Sequence, residues 1–373
     1  MAKAKVLLVF GTRPEAIKMC PLVKELQGRP DDFETVVCVT GQHREMLQQV
    51  LQAFDVVPDY DLDIMKAGQT LAGVTGDVLA KFSPVLEAEK PDYVLVHGDT
   101  TTAFAAGLAA FYMQIPVAHV EAGLRTWDMA SPFPEEFNRQ TIDLVAETYF
   151  APTETARQHL LEEGKPADHI FVTGNTGIDA LRTTVRDDFS NEWTDWAEGS
   201  RLVLVTAHRR ENIGKPMENI FRALRRVVDE NPDVKALYPI HMNPKVREIA
   251  SEVLDGEDRI RIIEPMEVLE FHNMMNASHL ILTDSGGIQE EAPSLGKPVL
   301  VARTTTERPE GIEAGTLRLV GTNEDSLFEA LSSLLSDSAE YEAMAHAANP
   351  YGDGFASRRI ADQLALSAKT AKK

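Results

Sequence analysis

Residues 281–291 read Ile-Leu-Thr-Asp-Ser-Gly-Gly-Ile-Gln-Glu-Glu, an apolar strand that leads through a turn into the start of a helix. The apolar run 280–282 is typical of a strand buried in a sheet. The Ser-Gly-Gly turn at 285–287 leaves backbone N–H groups free where the next helix begins, and such groups attract phosphate. The alternative is an ordinary strand-to-helix turn that is capped by Ser285.

The same strand-to-helix alternation extends along the chain in both directions. Apolar strand-like segments that alternate with helical patterns are typical of βαβ units on a parallel sheet. These segments are 5–10, 35–40, 93–98, 117–121, 148–151 and 170–173 in the first half, and 202–206, 236–241, 260–264, 279–283 and 298–302 in the second half. The sequence therefore predicts an α/β protein with two doubly wound, Rossmann-like domains whose strand-end loops face a central cleft.

The domain boundary is predicted where the two series of strands are interrupted, and we place it at residue 175. A polar stretch that contains two tryptophans follows, from Asp187 to Ser200. This stretch also fits a surface insertion within the second domain. Two domains agree with the length of 373 residues, because single hydrophobic cores rarely serve chains of more than about 250–300 residues.

The charge of the chain restricts its function. Lys and Arg number 37 and Asp and Glu number 58, for a formal net charge of −21. Such a charge argues against a protein that grips nucleic acid, so a phosphate site must be a local basic pocket. Adaptation to a salty cytoplasm is a second explanation of the acidity.

Cysteine usage and hydropathy indicate a compartment. Cys20 and Cys38 fit neither a zinc site nor a disulfide framework, and they indicate a reducing environment. The apolar start of the chain ends at Gly11, too early for a secretory signal. The longest apolar stretch, 103–113, is shorter than the roughly 20 residues that cross a bilayer. We expect a soluble, cytoplasmic protein without a membrane partner.

Basic residues follow the first predicted strand, at the sheet edge where α/β folds bind ligands. The strand leads into Gly-Thr-Arg-Pro-Glu at 11–15, and Arg13 and Lys18 supply positive charge there. The alternative is a capped turn whose cations face solvent.

Carboxylates end two later strands, where a buried acid needs a partner or a task. These residues are Asp99 and Glu121. For Asp99 the alternative is an N-cap of the next helix. Glu121 has too long a side chain for a typical cap, and Arg125 is its one nearby structural partner in the sequence. Glu135 and the following glutamate suit the start of a helix, which does not exclude either from the site.

The second half carries a basic strand end at His208 and Arg209, which suits an anion because arginine forks match phosphate oxygens. His241 ends the next strand, although a structural role is the more common one for a lone histidine. Arg308 fits either phosphate or a neighbouring glutamate. Glu291, four residues past the turn, has the position to accept hydrogen bonds from ribose hydroxyls.

Several familiar motifs are missing. Neither a Gly-x-Gly-x-x-Gly after the first strand nor a Walker lysine motif occurs, so a nicotinamide cofactor is not indicated. We find no metal-ligand spacing, and the nucleophile elbow of Ser-His-Asp hydrolases is absent. We therefore expect neither cofactor nor metal.

Six long motifs, in order, resemble the non-hydrolysing bacterial UDP-N-acetylglucosamine 2-epimerases. The likeness extends from about residue 5 to the Asn-Pro-Tyr-Gly-Asp-Gly at 349–354. The motifs are Phe-Gly-Thr-Arg-Pro-Glu-Ala-Ile-Lys-Met (10–19), Val-His-Gly-Asp-Thr-Thr-Thr (96–102), His-Val-Glu-Ala-Gly-Leu-Arg-Thr (119–126), Pro-Glu-Glu-Phe-Asn-Arg (134–139), His-Arg-Arg-Glu-Asn (208–212) and Thr-Asp-Ser-Gly-Gly-Ile-Gln-Glu-Glu-Ala-Pro (283–293).

The resemblance implies a two-domain fold of the glycosyltransferase-B type and a homodimer that needs neither NAD nor a metal. The implied domains are 1–175 and 176–354, with 355–373 as a helix that crosses back to the first domain. The implied reaction is reversible conversion of UDP-N-acetylglucosamine to UDP-N-acetylmannosamine, by anti elimination of UDP to a 2-acetamidoglucal and re-addition. The alternatives are a hydrolysing 2-epimerase, a B-type glycosyltransferase and a non-catalytic nucleotide-sugar sensor.

The resemblance also implies roles for residues. The implied catalytic residues are Asp99, Glu121, Glu135 and His208, without an assignment of base and acid. The implied UDP-binding residues are Arg13, Lys18, Ser285, Gly286, Gly287, Glu291 and Arg308, with Phe271 near the uracil. A second, activating substrate molecule is implied at Gln42, His43, Gln69, Arg209 and His241. Gly68 stands where an arginine is expected, which weakens the activation hypothesis, and Met266 replaces a glutamine of some members.

Overall fold

The computed structural model describes residues 3–41, 44–66, 68–306 and 308–371. The chain divides into two compact units. The first is formed by Met1–Thr183 together with Tyr351–Lys373, and the second by Thr184–Pro350. Among the described residues, no helix combines the length and the apolar character that a membrane span requires.

The described part of the first unit contains a seven-stranded parallel sheet of order β3-β2-β1-β4-β5-β6-β7. Its strands are β1 (Ala4–Phe10), β2 (Phe33–Val39), β3 (Tyr60–Asp61), β4 (Tyr93–His97), β5 (Val117–Val120), β6 (Thr148–Ala151) and β7 (Ile170–Val172). Its helices are α1 (Arg13–Gln27), α2 (Arg44–Ala53), α3 (Leu71–Glu89), α4 (Thr101–Tyr112), α5 (Glu135–Val145), α6 (Glu154–Glu162), α7 (Thr176–Thr184) and α16 (Ala356–Ala371).

The second unit has, within its described residues, a six-stranded parallel sheet of order β10-β9-β8-β11-β12-β13. Its strands are β8 (Arg201–Thr206), β9 (Val234–Pro239), β10 (Ile260–Ile263), β11 (Leu280–Thr283), β12 (Val299–Val301) and β13 (Leu317–Leu319). Its helices are α8 (Glu192–Ala197), α9 (Lys215–Glu230), α10 (Pro244–Leu254), α11 (Val268–Ala277), α12 (Ile288–Glu291), α13 (Pro309–Glu313), α14 (Glu324–Ser336) and α15 (Ser338–Ala345).

Both sheets are buried on two faces, which explains their continuous apolar strands. In β1, the segment Val6–Phe10 is fully buried, and Leu7 and Val9 belong to the core that also includes Val94 and Val96 of β4. In the second unit, β8 contributes Val203 and Val205 to a core that α9 covers. The prediction of two doubly wound α/β domains is confirmed.

Strand order determines where each unit can bind a ligand. In the first sheet the order reverses between β1 and β4, and in the second between β8 and β11. The helices that follow the two strands of such a pair leave toward opposite faces of the sheet, which opens a crevice at the carboxyl ends of those strands. We therefore expect each unit to bind its ligand at these turns, which follow β1 and β4 in the first unit and β8 and β11 in the second.

Two strands, β3 and β13, have no counterpart in the predicted series. They have two and three residues and lie at sheet edges, where an alternating pattern is too short to recognise.

The limit of the first unit at Thr183 lies beyond the predicted boundary at residue 175. The reason is that α7 bonds to the start of α16 within the same unit. The Asp179 carboxylate accepts hydrogen bonds from the backbone N–H groups of Ala356 and Ser357, at 3.1 and 2.6 Å.

Candidate functional site

The turn after β1 is held by a buried glutamate. Thr12 is the N-cap of α1, and the Glu15 carboxylate reaches back to accept from the N–H groups of Gly11 and Thr12, at 3.0 and 2.7 Å. Its other oxygen accepts from the Thr100 hydroxyl at 2.6 Å. Burial raises the pKa of Glu15. This capping box fixes the backbone next to Arg13 and joins the turns after β1 and β4.

Asp99 lies directly after β4 and is not a helix cap. Thr100 takes that role for α4. The Asp99 carboxylate instead binds the Arg139 guanidinium at 2.5 Å. Burial raises the pKa of Asp99, Arg139 opposes the increase, and the charges of Glu121 and Glu135 add to it. The structure thus brings the other two predicted carboxylates of the first unit, Glu121 and Glu135, within electrostatic reach of Asp99.

Glu121 follows β5 with φ 67°, a left-handed conformation that non-glycine residues rarely adopt. Its carboxylate forms an ion pair with Lys18, on α1. Arg125, the partner suggested by the sequence, binds Asp143 at 2.7 Å instead. His97 Nε2 lies 3.6 Å from Glu121 Oε2. Burial lowers the pKa of His97 to about 3, so this imidazole is neutral beside the carboxylate.

The two glutamates at the start of α5 differ in their surroundings. Glu136 is fully buried, and its carboxylate accepts from the N–H groups of Thr126 and Trp127, at 3.0 and 3.1 Å. Glu135 is partly exposed. Glu136 therefore holds the preceding loop, and Glu135 is the one available to the site.

In the second unit, Asp284 organises the turn after β8. This carboxylate is fully buried and accepts from the N–H groups of His208 and Arg209, both at 2.9 Å, and from Asn212 Nδ2 at 3.0 Å. His208 Nδ1 lies 3.2 Å from Asp284 Oδ1. Burial by itself raises the pKa of Asp284, but the hydrogen bonds from His208 and Arg209 outweigh it and the pKa is lowered. His241 stacks on His208, with ring centroids 5.4 Å apart.

The Ser-Gly-Gly turn after β11 is not capped by Ser285. Gly287 is the N-cap of α12, and no side chain caps this helix. The Arg308 guanidinium lies over the turn, since a Cβ at Gly286 would be 2.8 Å from Arg308 Nη1. A Cβ at Gly287 would lie 3.7 Å from Glu291 Oε1, so this carboxylate lies beside the turn as well.

Phe271 is half-buried on α11, next to a residue that lies near Glu291. That residue, His272, places its Nε2 3.9 Å from Glu291 Oε2. The second unit thus brings together the turn, Arg308, Glu291 and the helix that carries Phe271.

The residues expected at an activating site belong to both units, with Gln69 in the first and Arg209 and His241 in the second. Gln42 and His43 lie outside the described residues. The side-chain amide of Gln69 donates to the Ile64 carbonyl at 2.6 Å. Gly68, which replaces the expected arginine, has φ 70°, a conformation that favours glycine.

Sequence reasoning did not predict the residues that bind or face the predicted site residues. Glu15 had a signal, because Thr-x-x-Glu at 12–15 is a capping box. Arg139, Asp284 and His97 had none, since each binds or faces a residue from another part of the chain. Within the described residues, no group of three His, Cys, Asp or Glu side chains is arranged to hold a metal ion.

Comparisons with known proteins give the family. The family model described as UDP-N-acetylglucosamine 2-epimerase matches residues 24–365. The UDP-N-acetylglucosamine 2-epimerase of Bacillus subtilis (strain 168) is 59% identical, over 98% of this chain and 96% of that protein. The UDP-GlcNAc 2-epimerase of Neisseria meningitidis, whose crystal structure contains UDP-GlcNAc, is 48% identical with a TM-score of 0.88, over 96% of this chain and 99% of that one.

A more distant structure shows the fold alone. The glycotransferase of kitacinnamycin is 14% identical, with a TM-score of 0.67 over 98% of this chain and 99% of that one. This likeness confirms the prediction of a glycosyltransferase-B type fold. Family model and identity together show that the chain belongs to the UDP-N-acetylglucosamine 2-epimerase family.

Proposed function

We propose that the protein interconverts UDP-N-acetylglucosamine and UDP-N-acetylmannosamine by inverting C2 of the sugar. Membership of the family supports this, as does the UDP-GlcNAc bound to the Neisseria relative. The observation that carries the proposal is the electrostatic coupling of Asp99 to Glu121 and Glu135 in the first unit. Moving a proton on and off carbon needs positioned acids and bases, and a binding protein does not.

The reaction that fits these groups is an elimination followed by the reverse addition. A base removes the C2 proton, the C2–H electron pair forms the C1=C2 double bond, and the C1–O bond breaks with its electron pair on UDP. The intermediate is 2-acetamidoglucal. UDP then adds back to C1 while C2 receives a proton on the opposite face, so the sugar epimerises and no atom is gained or lost.

The proposed roles in the first unit follow from the environment of each carboxylate. Asp99 has a raised pKa and is suited to hold a proton between the two half-reactions. Glu121, paired with Lys18, is suited to face the positive charge that develops at C1. Glu135, at the start of α5, is proposed as a further acid/base group. Epimerisation requires one, because the proton is removed from one face of C2 and delivered to the other.

The proposed roles in the second unit concern UDP. Ser285, the backbone N–H groups of Gly286 and Gly287, and the Arg308 guanidinium suit the diphosphate. Glu291, beside that turn, suits the ribose hydroxyls, and Phe271 the uracil. His208 is suited to stabilise the departing phosphate oxygen. In the first unit, Arg13 and Lys18 are proposed as phosphate contacts.

An exchange experiment tests the reaction. The protein is incubated with UDP-N-acetylglucosamine in D2O and followed by NMR. We expect deuterium at C2 and formation of UDP-N-acetylmannosamine. Release of free N-acetylmannosamine would favour a hydrolysing epimerase, transfer of the sugar to an added acceptor would favour a glycosyltransferase, and absence of exchange would contradict the proposal.

A matched pair of variants tests the site. Glu121→Gln removes the charge that faces C1, so we expect loss of deuterium exchange with little change in UDP affinity, measured by calorimetry. Glu154→Gln is the control, because that side chain is 70% exposed on α6 of the same unit. Exchange at the wild-type rate in Glu121→Gln would refute the assignment.

We also propose a homodimer formed through α4 and α5. Phe111, Tyr112 and Leu144 on these packed helices are 52%, 69% and 73% exposed. Helix α4 has no charged residue although the chain carries a charge of −21, so two copies can meet there without repulsion. Light scattering should show a dimer that Phe111→Asp dissociates and that Val57→Asp, at a site 78% exposed, leaves intact. A monomeric wild type, or an unaffected Phe111→Asp, would contradict this.

Compartment and regulation complete the proposal. The buried thiols of Cys20 and Cys38 suit a reducing cytoplasm, where we place the reaction. Activation by a second substrate molecule is proposed with Arg209 and His241 as contacts in the second unit. A sigmoidal dependence of rate on substrate, lost in His241→Ala, is the expected result. A hyperbolic wild-type curve would contradict it.

A further inference from the structure

The first unit contains a buried chain of hydrogen bonds that leads to Gly98, the residue before Asp99, and that the proposed mechanism does not use. His119 on β5 and Asp143 on α5 are both 0% exposed. His119 Nδ1 lies 2.6 Å from Asp143 Oδ1, and His119 Nε2 lies 2.7 Å from the Gly98 carbonyl oxygen. Asp143 Oδ2 accepts from the Arg125 guanidinium at 2.7 Å and from the Gly123 N–H at 3.2 Å.

The partners of His119 determine its protonation. A carbonyl oxygen only accepts, so Nε2 carries a proton that it donates to Gly98. Asp143 Oδ2 accepts hydrogen bonds from Arg125 and from the Gly123 N–H, so Asp143 is a carboxylate. Its other oxygen, Oδ1, faces His119 Nδ1 and is also an acceptor. The positive charge of Arg125, whose Nη2 lies 2.7 Å from Asp143 Oδ2, keeps Asp143 ionised. The Nδ1 atom therefore also carries a proton, and His119 is an imidazolium that donates in both directions.

The carbonyl that His119 holds belongs to the residue directly before Asp99. Gly98 has φ 64°, a conformation that favours glycine, and its N–H donates to the Val120 carbonyl at 2.9 Å. Gly98 is thus bonded to β5 through both its N–H and its carbonyl oxygen, and these two hydrogen bonds set the direction in which the chain continues to Asp99. Because Glu121 directly follows Val120, the same bonds fix Asp99 relative to Glu121.

Helix α5 holds this turn from a second direction. Arg139 donates to the Asp99 carboxylate at 2.5 Å, and Asn138 Nδ2 donates to the Asp99 carbonyl oxygen at 2.9 Å. Asp143, one turn further along α5, acts on the same turn through His119. Since α5 begins at Glu135, one helix carries one of the proposed acid/base groups and positions another, Asp99.

We propose that His119 and Asp143 are a positioning pair for the reaction: an imidazolium held by Asp143 fixes the Gly98 carbonyl and so sets the position of Asp99 relative to Glu121. The kinetic part of this inference rests on the proposed function. The protonation of His119 does not, and it is tested separately.

The first experiment observes the protons directly. The full-length protein is labelled with 15N-histidine, and NMR at neutral pH counts the N–H protons of each ring; His119 is assigned from the signals that His119→Gln removes or, where that variant does not fold, from those that Asp143→Asn shifts. We expect two slowly exchanging N–H protons on His119. A single N–H proton would overturn the imidazolium, whatever reaction the protein catalyses.

The second experiment separates positioning from stability. Asp143→Asn keeps the volume of the side chain and loses its charge, so kcat should fall about 10- to 100-fold, as expected for misplaced acid/base groups. The KM for UDP-N-acetylglucosamine should change less than about twofold, because most of the contacts that we propose for UDP belong to the second unit, whereas the altered bond belongs to the first.

Tyr149→Phe is the matched control. The buried Tyr149 hydroxyl donates to the carbonyl oxygens of Asp143 and Ala146, at 3.1 and 2.6 Å, in the same part of α5 but outside the chain of bonds to Gly98. We expect it to lower the melting temperature and to leave kcat unchanged. Equal kcat in the two variants would overturn the positioning role, and so would a loss in Asp143→Asn that appears in KM alone.

Discussion

The buried carboxylate of Asp284 should control the loop that carries His208 and Arg209. In Asp284→Asn, the amide oxygen can replace Oδ2, which accepts from three donors at 2.9, 2.9 and 3.0 Å. Hydrogen bonds to a charged acceptor contribute roughly 1.5–3 kcal/mol and neutral ones roughly 0.5–1.5 kcal/mol. The loss of charge should therefore lower the free energy of opening this loop by about 3–4.5 kcal/mol, summed over the three bonds.

Hydrogen exchange measures this quantity at the amides concerned. At 1.36 kcal/mol per factor of ten, the N–H groups of His208 and Arg209 should exchange roughly 160- to 2,000-fold faster in Asp284→Asn. Asp229→Asn is the control. Asp229 is 48% exposed and pairs with Arg225 across one helical turn, an interaction that contributes only about 0.3–0.5 kcal/mol.

The sign of the pH dependence provides a second check. The folded-state pKa of Asp284 is lowered, so its stabilisation is present above the unfolded-state pKa and is lost as the pH falls through the folded-state value. The difference between wild type and Asp284→Asn should be complete at neutral pH and shrink in strong acid. Equal exchange at neutral pH, or acceleration spread evenly over the chain, would refute the reasoning.

Three further predictions concern the turns after β1, β4 and β11. Glu15→Ala leaves two buried N–H groups without their acceptor and should lower stability by about 2–5 kcal/mol, whereas Glu15→Gln keeps one acceptor oxygen and should cost about 1 kcal/mol in urea unfolding; equal losses would contradict the capping role. Arg139→Met removes the charge that opposes the raised pKa of Asp99, so the limb of the pH–rate profile that reports Asp99 should move to higher pH, and an unmoved profile would argue against their coupling. Gly286→Ala places a Cβ 2.8 Å from Arg308 Nη1; because that group can move aside, we expect UDP affinity to fall about tenfold, or about 1.4 kcal/mol, at nearly constant melting temperature, and unchanged affinity would contradict the role of the turn.

The sequence predicts the fold well because burial on both faces leaves a mark on each central strand. The segment 93–98, for example, corresponds to β4, Tyr93–His97. The edge strands β3 and β13 are missing from the prediction because strands of two and three residues are too short to show a hydrophobic periodicity. The first unit extends beyond residue 175 because Asp179 binds backbone N–H groups far along the chain, which no local pattern announces.

The candidate site is predictable in its positions and not in its pairings. Strand-end polar residues such as Asp99 and Glu121 are visible in the alternation. Their partners are not, because Arg139 is 40 positions from Asp99 and Lys18 is 103 positions from Glu121. Periodicity describes the neighbours of a residue along an element, and such contacts depend on which elements the fold brings together. Arg125, the one structural partner that the sequence offered for Glu121, binds Asp143 instead.

The two-segment composition of the first unit has a consequence for biosynthesis. A ribosome completes Thr184–Pro350, the second unit, before it makes Tyr351–Lys373, which contains α16. In the first unit, α16 buries Ile360, Ala361 and Leu364, and its Asp362 forms an ion pair with Arg29, two residues after the end of α1. Synthesis of the first unit thus begins before that of the second unit and ends after it. When the second unit is fully synthesised, the first unit still lacks α16.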